Sequence, residues 1–123
     1  MATPYEQHYL ETLGHVPLTI TAMFDMEAGL AESYTDARRL YFQERADGLP
    51  VAIKELLIVI LDIASGHVSG AVAHLQAAKR AGLTETQLKE GLIAAYLIHG
   101  GSSWDTVGRA LWEWWREDSK ASR

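Results

Sequence analysis

The run LLIVILDIA, from Leu56 to Ala64, constrains this chain more than any other stretch. Only Asp62 is polar in it. A strand and a fully buried helix both accommodate such a run. Pro50 suits a first helical turn, and the apolar pattern is long, so helix is the stronger reading. A helix with no polar face is normally buried on every side. Ser65-Gly66 then breaks the pattern, and a second helix is predicted from about His67 to Ala81, with Gly82 as its C-terminal cap.

On that second helix His67 and His74 are seven apart, which is nearly two turns. Both rings then lie on one stripe, roughly 10 Å apart along the axis. Gly70 and Ala71 fall between them, so the spacing predicts a small hollow walled by imidazoles over a floor of small residues. Glu55 and Asp62 share one stripe of the preceding helix. Folded antiparallel at Ser65-Gly66, the two helices would bring a carboxylate to the histidines.

Length and composition limit what such a hollow can do. The 123 residues are read as a single domain, 1–123, with enough chain for a proper core. Hydrophobic residues make up 48%, which fits a globular protein. A formal net charge of -5 gives no reason to expect nucleic-acid binding. The N-terminal MATPYEQHYLE has neither a basic stretch nor an apolar core, so no signal peptide is expected and the cytoplasm is the default location. No apolar segment reaches the roughly 20 residues of a membrane span. The chain has no cysteine, which excludes disulfides, thiol peroxidase chemistry and thiolate metal sites.

The remaining segments also read as helices. Thr3-Pro4-Tyr5-Glu6 is a capping box opening a helix to about Leu13. Pro17 opens a second helix, carrying Leu18, Ile20, Met23, Phe24, Met26 and Leu30. Ser33 or Thr35 is predicted to cap a third, ending near Arg45, and Pro50 opens the fourth. After the His67 helix, Thr84-Glu85-Thr86-Gln87 is another capping box. The helix it opens carries Leu88, Leu92, Ala95 and Ile98 and stops at Gly100-Gly101. Ser102 or Ser103 would cap the last, with Trp104, Val107, Gly108, Leu111 and Trp115 on one stripe and a frayed tail EDSKASR. No run alternates at period two, so the fold is predicted all-α, a bundle of about six to seven helices. Trp112 and Trp114 widen the apolar face of the last helix, which points to a subunit contact.

The order Glu55, Gly66-His67-Val68-Ser69-Gly70, His74, AAKRAGLTETQL and Ile98-His99-Gly100-Gly101 resembles the carboxymuconolactone decarboxylase and AhpD-like superfamily of small helical proteins. The resemblance covers about Leu13 to Trp112. It implies an AhpD-like helical bundle assembled as a trimer or hexamer. AhpD-like peroxidases carry two cysteines three apart, a glutamate twelve before the first and a histidine four after the second. Glu55 and His74 match the glutamate and histidine; His67 and Gly70 stand at the cysteine positions. The peroxidase relay cannot run without thiols. The chain therefore looks closer to the decarboxylase branch, which uses no cysteine pair and no cofactor, although Ser69 and Gly70 replace the histidine and glutamate usual there.

The resemblance makes His74 the leading candidate for acid–base work near pH 7. Glu55 is its orienter, and His67 a donor to a substrate carboxylate or oxyanion. Asp62 is costly in an apolar run unless paired or protonated, so it is expected to face the hollow or to meet a cation at a subunit contact. Gly70 shapes the hollow, His99 would line its mouth, and Trp104, Tyr96 and Tyr34 are candidates to stack on a ring. The bland readings are a satisfied core histidine for His74, a partly solvated helix N-terminal histidine for His67, a first-turn glutamate for Glu55 and ordinary core aromatics. Glu55, His67 and His74 also compose a two-histidine, one-carboxylate ligand set. Histidines that chelate from one helix are usually four apart, so seven argues against a metal. The expected function is a cofactor-free lyase of decarboxylase type, acting on a small organic acid or lactone-like substrate. The alternatives are a non-catalytic binding or assembly protein on the same fold, and a metal enzyme.

Overall fold

The computed structural model describes residues 2–121. All regular structure among them is helical, in seven helices. They fall into two compact units, Met1–Leu49 and Pro50–Arg123.

The first unit holds α1 (Pro4–Leu13), α2 (Leu18–Met26) and α3 (Ala28–Phe42). Thr3 caps α1 as expected, its side chain accepting from the Glu6 amide. The α2–α3 boundary lies at Glu27, upstream of the predicted Ser33 or Thr35. Glu27 is extended, and its carboxylate accepts from the Gly29 amide at 3.4 Å. Thr35 has another role: its hydroxyl donates to the Ala31 carbonyl and meets the Tyr9 hydroxyl, both at 2.7 Å in the interior. The buried Arg38 guanidinium stacks between the Tyr9 and Phe42 rings, with centroids 5.2 and 5.1 Å away. Its Nε donates to His8 Nε2, and burial together with Arg38 holds the His8 imidazole below the usual histidine range.

The second unit holds α4 (Val51–Ser65), α5 (Val68–Arg80), α6 (Glu85–His99) and a last helix, α7. α7 runs through Gly101–Ser103, a π-helical Trp104–Gly108 and Arg109–Ala121. Its core comprises Val59 and Ile63 of α4, Ala71, Leu75 and Ala78 of α5, Leu88, Leu92 and Ala95 of α6, and Val107, Leu111 and Trp115 of α7. The Thr84–Gln87 capping box forms in full. No serine side chain caps α7; Gly100 precedes it with φ 75°. The π segment inserts an extra residue per turn and rotates the register. Trp104 therefore leaves the stripe that Val107, Gly108, Leu111 and Trp115 bury. The predicted frayed tail is helical through Ala121, with Asp118 and Ser119 held by Lys79; Ser122 and Arg123 lie outside the described residues.

Two expectations about apolar faces change. α4 is not buried all round: Leu57, Leu61 and Ala64 form an exposed stripe, while the buried face carries Lys54 and Glu55 beside Val59 and Ile63. Ile98 is 80% exposed. Trp112 and Trp114 are half-buried and pack on the core. Lys79 stands 5.6 Å over Trp114, and Lys89 and Arg116 stand 5.6 and 5.8 Å over Trp112. In this unit the exposed apolar surface lies instead on α4 and on Ile93, Leu97 and Ile98 of α6.

The α4–α5 hairpin turns at Gly66, whose φ of 73° is left-handed. That conformation lets the Gly66 and His67 amides satisfy the Ile63 and Asp62 carbonyls at 3.1 and 3.0 Å. A Cβ there meets the carbonyl-oxygen crowding that disfavours left-handed residues, at about 1–2 kcal/mol. Gly66→Ala is accordingly expected to lower Tm by roughly 3–10 °C in a thermal melt. An unchanged Tm would mean that the turn relaxes.

Candidate functional site

The antiparallel α4–α5 hairpin sets two carboxylates of one helix against the histidine of the other. Glu55 is on the first turns of α4 and its side chain is 1% exposed; His74 is midway along α5 and 12% exposed. Glu55 Oε2 lies 2.6 Å from His74 Nδ1. A buried carboxylate this close to a ring nitrogen accepts its proton, so Nδ1–H is assigned to the bond. That leaves Nε2 as the nitrogen free to exchange protons.

Two turns along α4 from Glu55, the Asp62 carboxylate reaches across to α5. Gly70 is what admits it. A Cβ on Gly70 would stand 3.0 Å from Asp62 Oδ2 and 3.6 Å from its Cγ, tighter than van der Waals contact allows. The other oxygen, Oδ1, is 3.9 Å from His67 Nδ1. Burial raises the Asp62 carboxyl above the usual aspartate range; His74, and then His67, pull it back.

These contacts alter the predicted hollow. Ala71 is fully buried in the core, and the space over Gly70 holds the Asp62 carboxylate. The imidazoles occupy different surroundings: His74 is enclosed, whereas the His67 side chain, at the N-cap of α5, is 72% exposed. Two open depressions of this unit lie elsewhere. Leu92, Ile93, Tyr96 and Trp104 line an almost wholly apolar groove of about 270 Å³. Gln76, Lys79, Arg80, Trp114 and Asp118 line a more polar cleft of about 430 Å³. Trp104 thus borders the apolar groove with Tyr96, and His99 is exposed at the end of α6. Neither of these candidates joins the Glu55–His74–Asp62 cluster through any contact among the described residues.

A metal would need three convergent ligands. Among the described residues no three histidine or carboxylate side chains are grouped that way. Glu55 and His74 are paired with each other, and His67 turns to Asp62 and solvent.

Comparison with known proteins bears on the same segments. The carboxymuconolactone decarboxylase family model matches residues 31–113, well over half of the chain. The chain belongs to the carboxymuconolactone decarboxylase family. Among solved structures it is similar to a Burkholderia xenovorans LB400 protein provisionally described as a carboxymuconolactone decarboxylase. The TM-score is 0.84 at 26% identity, over 97% of this chain and 93% of that one. No curated protein matches the chain.

Membership in the carboxymuconolactone decarboxylase family agrees with the all-helical fold. It does not by itself specify the reaction. The contact between Asp62 and Gly70 was not anticipated from sequence. The one available signal was that both residues are out of place: a carboxylate in an apolar run and a glycine inside a helix.

Proposed function

We propose that this protein is a cofactor-free lyase of the cytoplasm, acting on a small organic acid or lactone-like substrate at the α4–α5 hairpin. The observation that carries the reading is the buried 2.6 Å contact between Glu55 and His74. Burying a carboxylate with an imidazole costs free energy unless the pair is well made, and a pair of this kind orients one ring nitrogen for proton transfer. When a carboxylate departs as carbon dioxide, its electron pair passes into an adjacent carbonyl as an enolate. The site must donate to that oxygen and return a proton to carbon. His74 is the acid–base group, Glu55 its orienter and His67 a donor at the rim. Asp62 and Gly70 are the proposed substrate contacts at the hairpin, with His99 and Trp104 as outer contacts beyond the Glu55–His74–Asp62 cluster. The half-open site is completed by a second copy of the chain, in a trimer or hexamer, with the exposed Leu57–Leu61–Ala64 stripe of the same helix at the contact.

The filled space over Gly70 favours a second reading, a binding or assembly protein that retains the fold without the chemistry. One experiment separates them. Protein purified without a tag and dialysed against a chelator is offered a panel of β-keto acids and unsaturated lactone acids, and carbon dioxide release is followed. The lyase reading expects turnover of at least one acid, unchanged by chelation. Oligomeric protein that turns over none of them would establish the second reading; activity lost to the chelator and restored by a divalent cation would establish a metal enzyme.

A further inference from the structure

The lyase reading gives His74 the acid–base role but leaves open which group hands the proton to carbon, since His74 is enclosed and committed on one side to Glu55. Asp62 occupies the better position. Its side chain is 22% exposed, at the boundary between the buried pair and water. It stands where α5 has no side chain at all.

We propose that Asp62 is the acid that delivers the proton to the substrate, that Gly70 is the bare backbone on which its carboxyl rests, and that the exposed His67 resupplies it from solvent. The inference rests on the lyase reading and assigns its proton donor. In the step, the bond from the α-carbon to the departing carboxylate breaks and its electron pair forms the enolate. The enolate carbon takes the proton from the Asp62 carboxyl, leaving Asp62 as carboxylate and the product with a new C–H bond. Asp62 then regains a proton from water by way of His67, and no other reactant is consumed.

Three observations converge on this role. The Oδ2 side of the carboxyl lies against the position where α5 carries no side chain, and the burial of the group favours the neutral acid over the anion. The Oδ1 side is 3.9 Å from an imidazole that is itself in water, longer than a hydrogen bond but within reach of a small rotation of the exposed His67 ring. The groups that act on its charge are His74 and His67 on α5; α6, which also packs on α4, contributes no charged group to it among the described residues. Burial dominates the two imidazoles, so the carboxyl remains protonated to higher pH than an ordinary aspartate.

The pH dependence of stability follows in sign. The folded chain binds the Asp62 proton more tightly than the unfolded chain does. The stability this contributes is present at low pH and is lost as pH rises through the folded value. Asp62→Asn is therefore expected to melt a few degrees higher than wild type near pH 7, with the gap closing on acidification. Its turnover of the best acid from the panel should fall about 10²-fold or more. Gly70→Ala is the companion variant. Gly70 sits at an ordinary helical φ, so alanine is compatible with α5, but its Cβ must push the carboxyl aside by a few tenths of an ångström. Melting at or above the wild-type temperature with roughly 10-fold slower turnover is expected, because small misplacements of a reacting group are costly in rate.

A titration of the side-chain carboxyl carbons, followed by NMR on the wild-type protein, reads the donor directly. Asp62 should titrate above the other aspartates, and the His67 ring nitrogens should sense the same step. An Asp62 that titrates with the other aspartates overturns the proposal. Turnover that survives Asp62→Asn at full rate overturns the donor role and leaves the lyase reading standing. Wild-type protein with no turnover overturns both.

Discussion

Replacing His74 by alanine is expected to cost about 3–5 kcal/mol of stability near neutral pH, the range found when one partner of a buried ion pair is removed. For a domain of this size that is a fall in Tm of roughly 10–20 °C. The reason lies on the other side of the pair. Glu55 is 1% exposed, and its recorded hydrogen bond is the 2.6 Å contact with His74. Truncating the ring leaves a carboxylate with desolvation uncompensated and opens a cavity between α4 and α5. The matching double replacement, Glu55→Leu with His74→Leu, should recover most of the loss, because a well-packed apolar pair is often as stable as a buried polar one. Denaturant unfolding of wild type, both single variants and the double variant gives the coupling between the two positions. A cost below about 1 kcal/mol for His74→Ala would show that water reaches Glu55 freely, and the buried pair could not then be the basis of the site.

The fold was legible because its signals are local. The N-cap at Thr3, the capping box at Thr84, the break at Gly66 and the 3.6-residue spacing of Leu88, Leu92 and Ala95 each follow from one helix alone. Features that depend on a neighbouring helix were not legible. Leu57 and Leu61 look like core in sequence, yet α5 and α6 cover the other faces of α4 and leave them exposed. The π segment at Trp104 has no local signature in this chain; it turns Trp104 away from the stripe on which simple periodicity places it. The site was legible by half. Spacing and resemblance pointed to Glu55 and His74, and the structure sets them together. The hollow was not foreseeable as filled, since a glycine in sequence reads as space. Whether a side chain from another helix enters that space depends on the hairpin register, which brings Asp62 opposite Gly70.

The largest effect on rate should come from His74→Gln, which keeps the size and polarity of the side chain but cannot take or give a proton. On the best substrate of the acid panel kcat should fall by about 10²–10⁴-fold, the usual share of general acid–base catalysis. Most of the loss should appear in kcat, with KM little changed, because the ring is enclosed and acts on proton traffic more than on substrate affinity. Glu55→Gln should cost less, about 10²-fold, because its amide still meets Nδ1 but no longer fixes the charge and the tautomer. As a positioning residue Glu55 should reveal itself in a loss confined to kcat with KM little changed, and Glu55→Asp should restore part of the rate. The exposed His67 provides the contrast. His67→Gln should slow turnover only modestly at saturating buffer and more strongly in dilute buffer, since small buffer acids can take over the supply of protons to Asp62. A His74→Gln variant that turns over at the wild-type rate would remove the buried pair from the chemistry altogether. A His67→Gln variant as damaged as His74→Gln, with no response to buffer, would instead mean that His67 contacts the reacting atoms themselves, enclosed by a second copy of the chain.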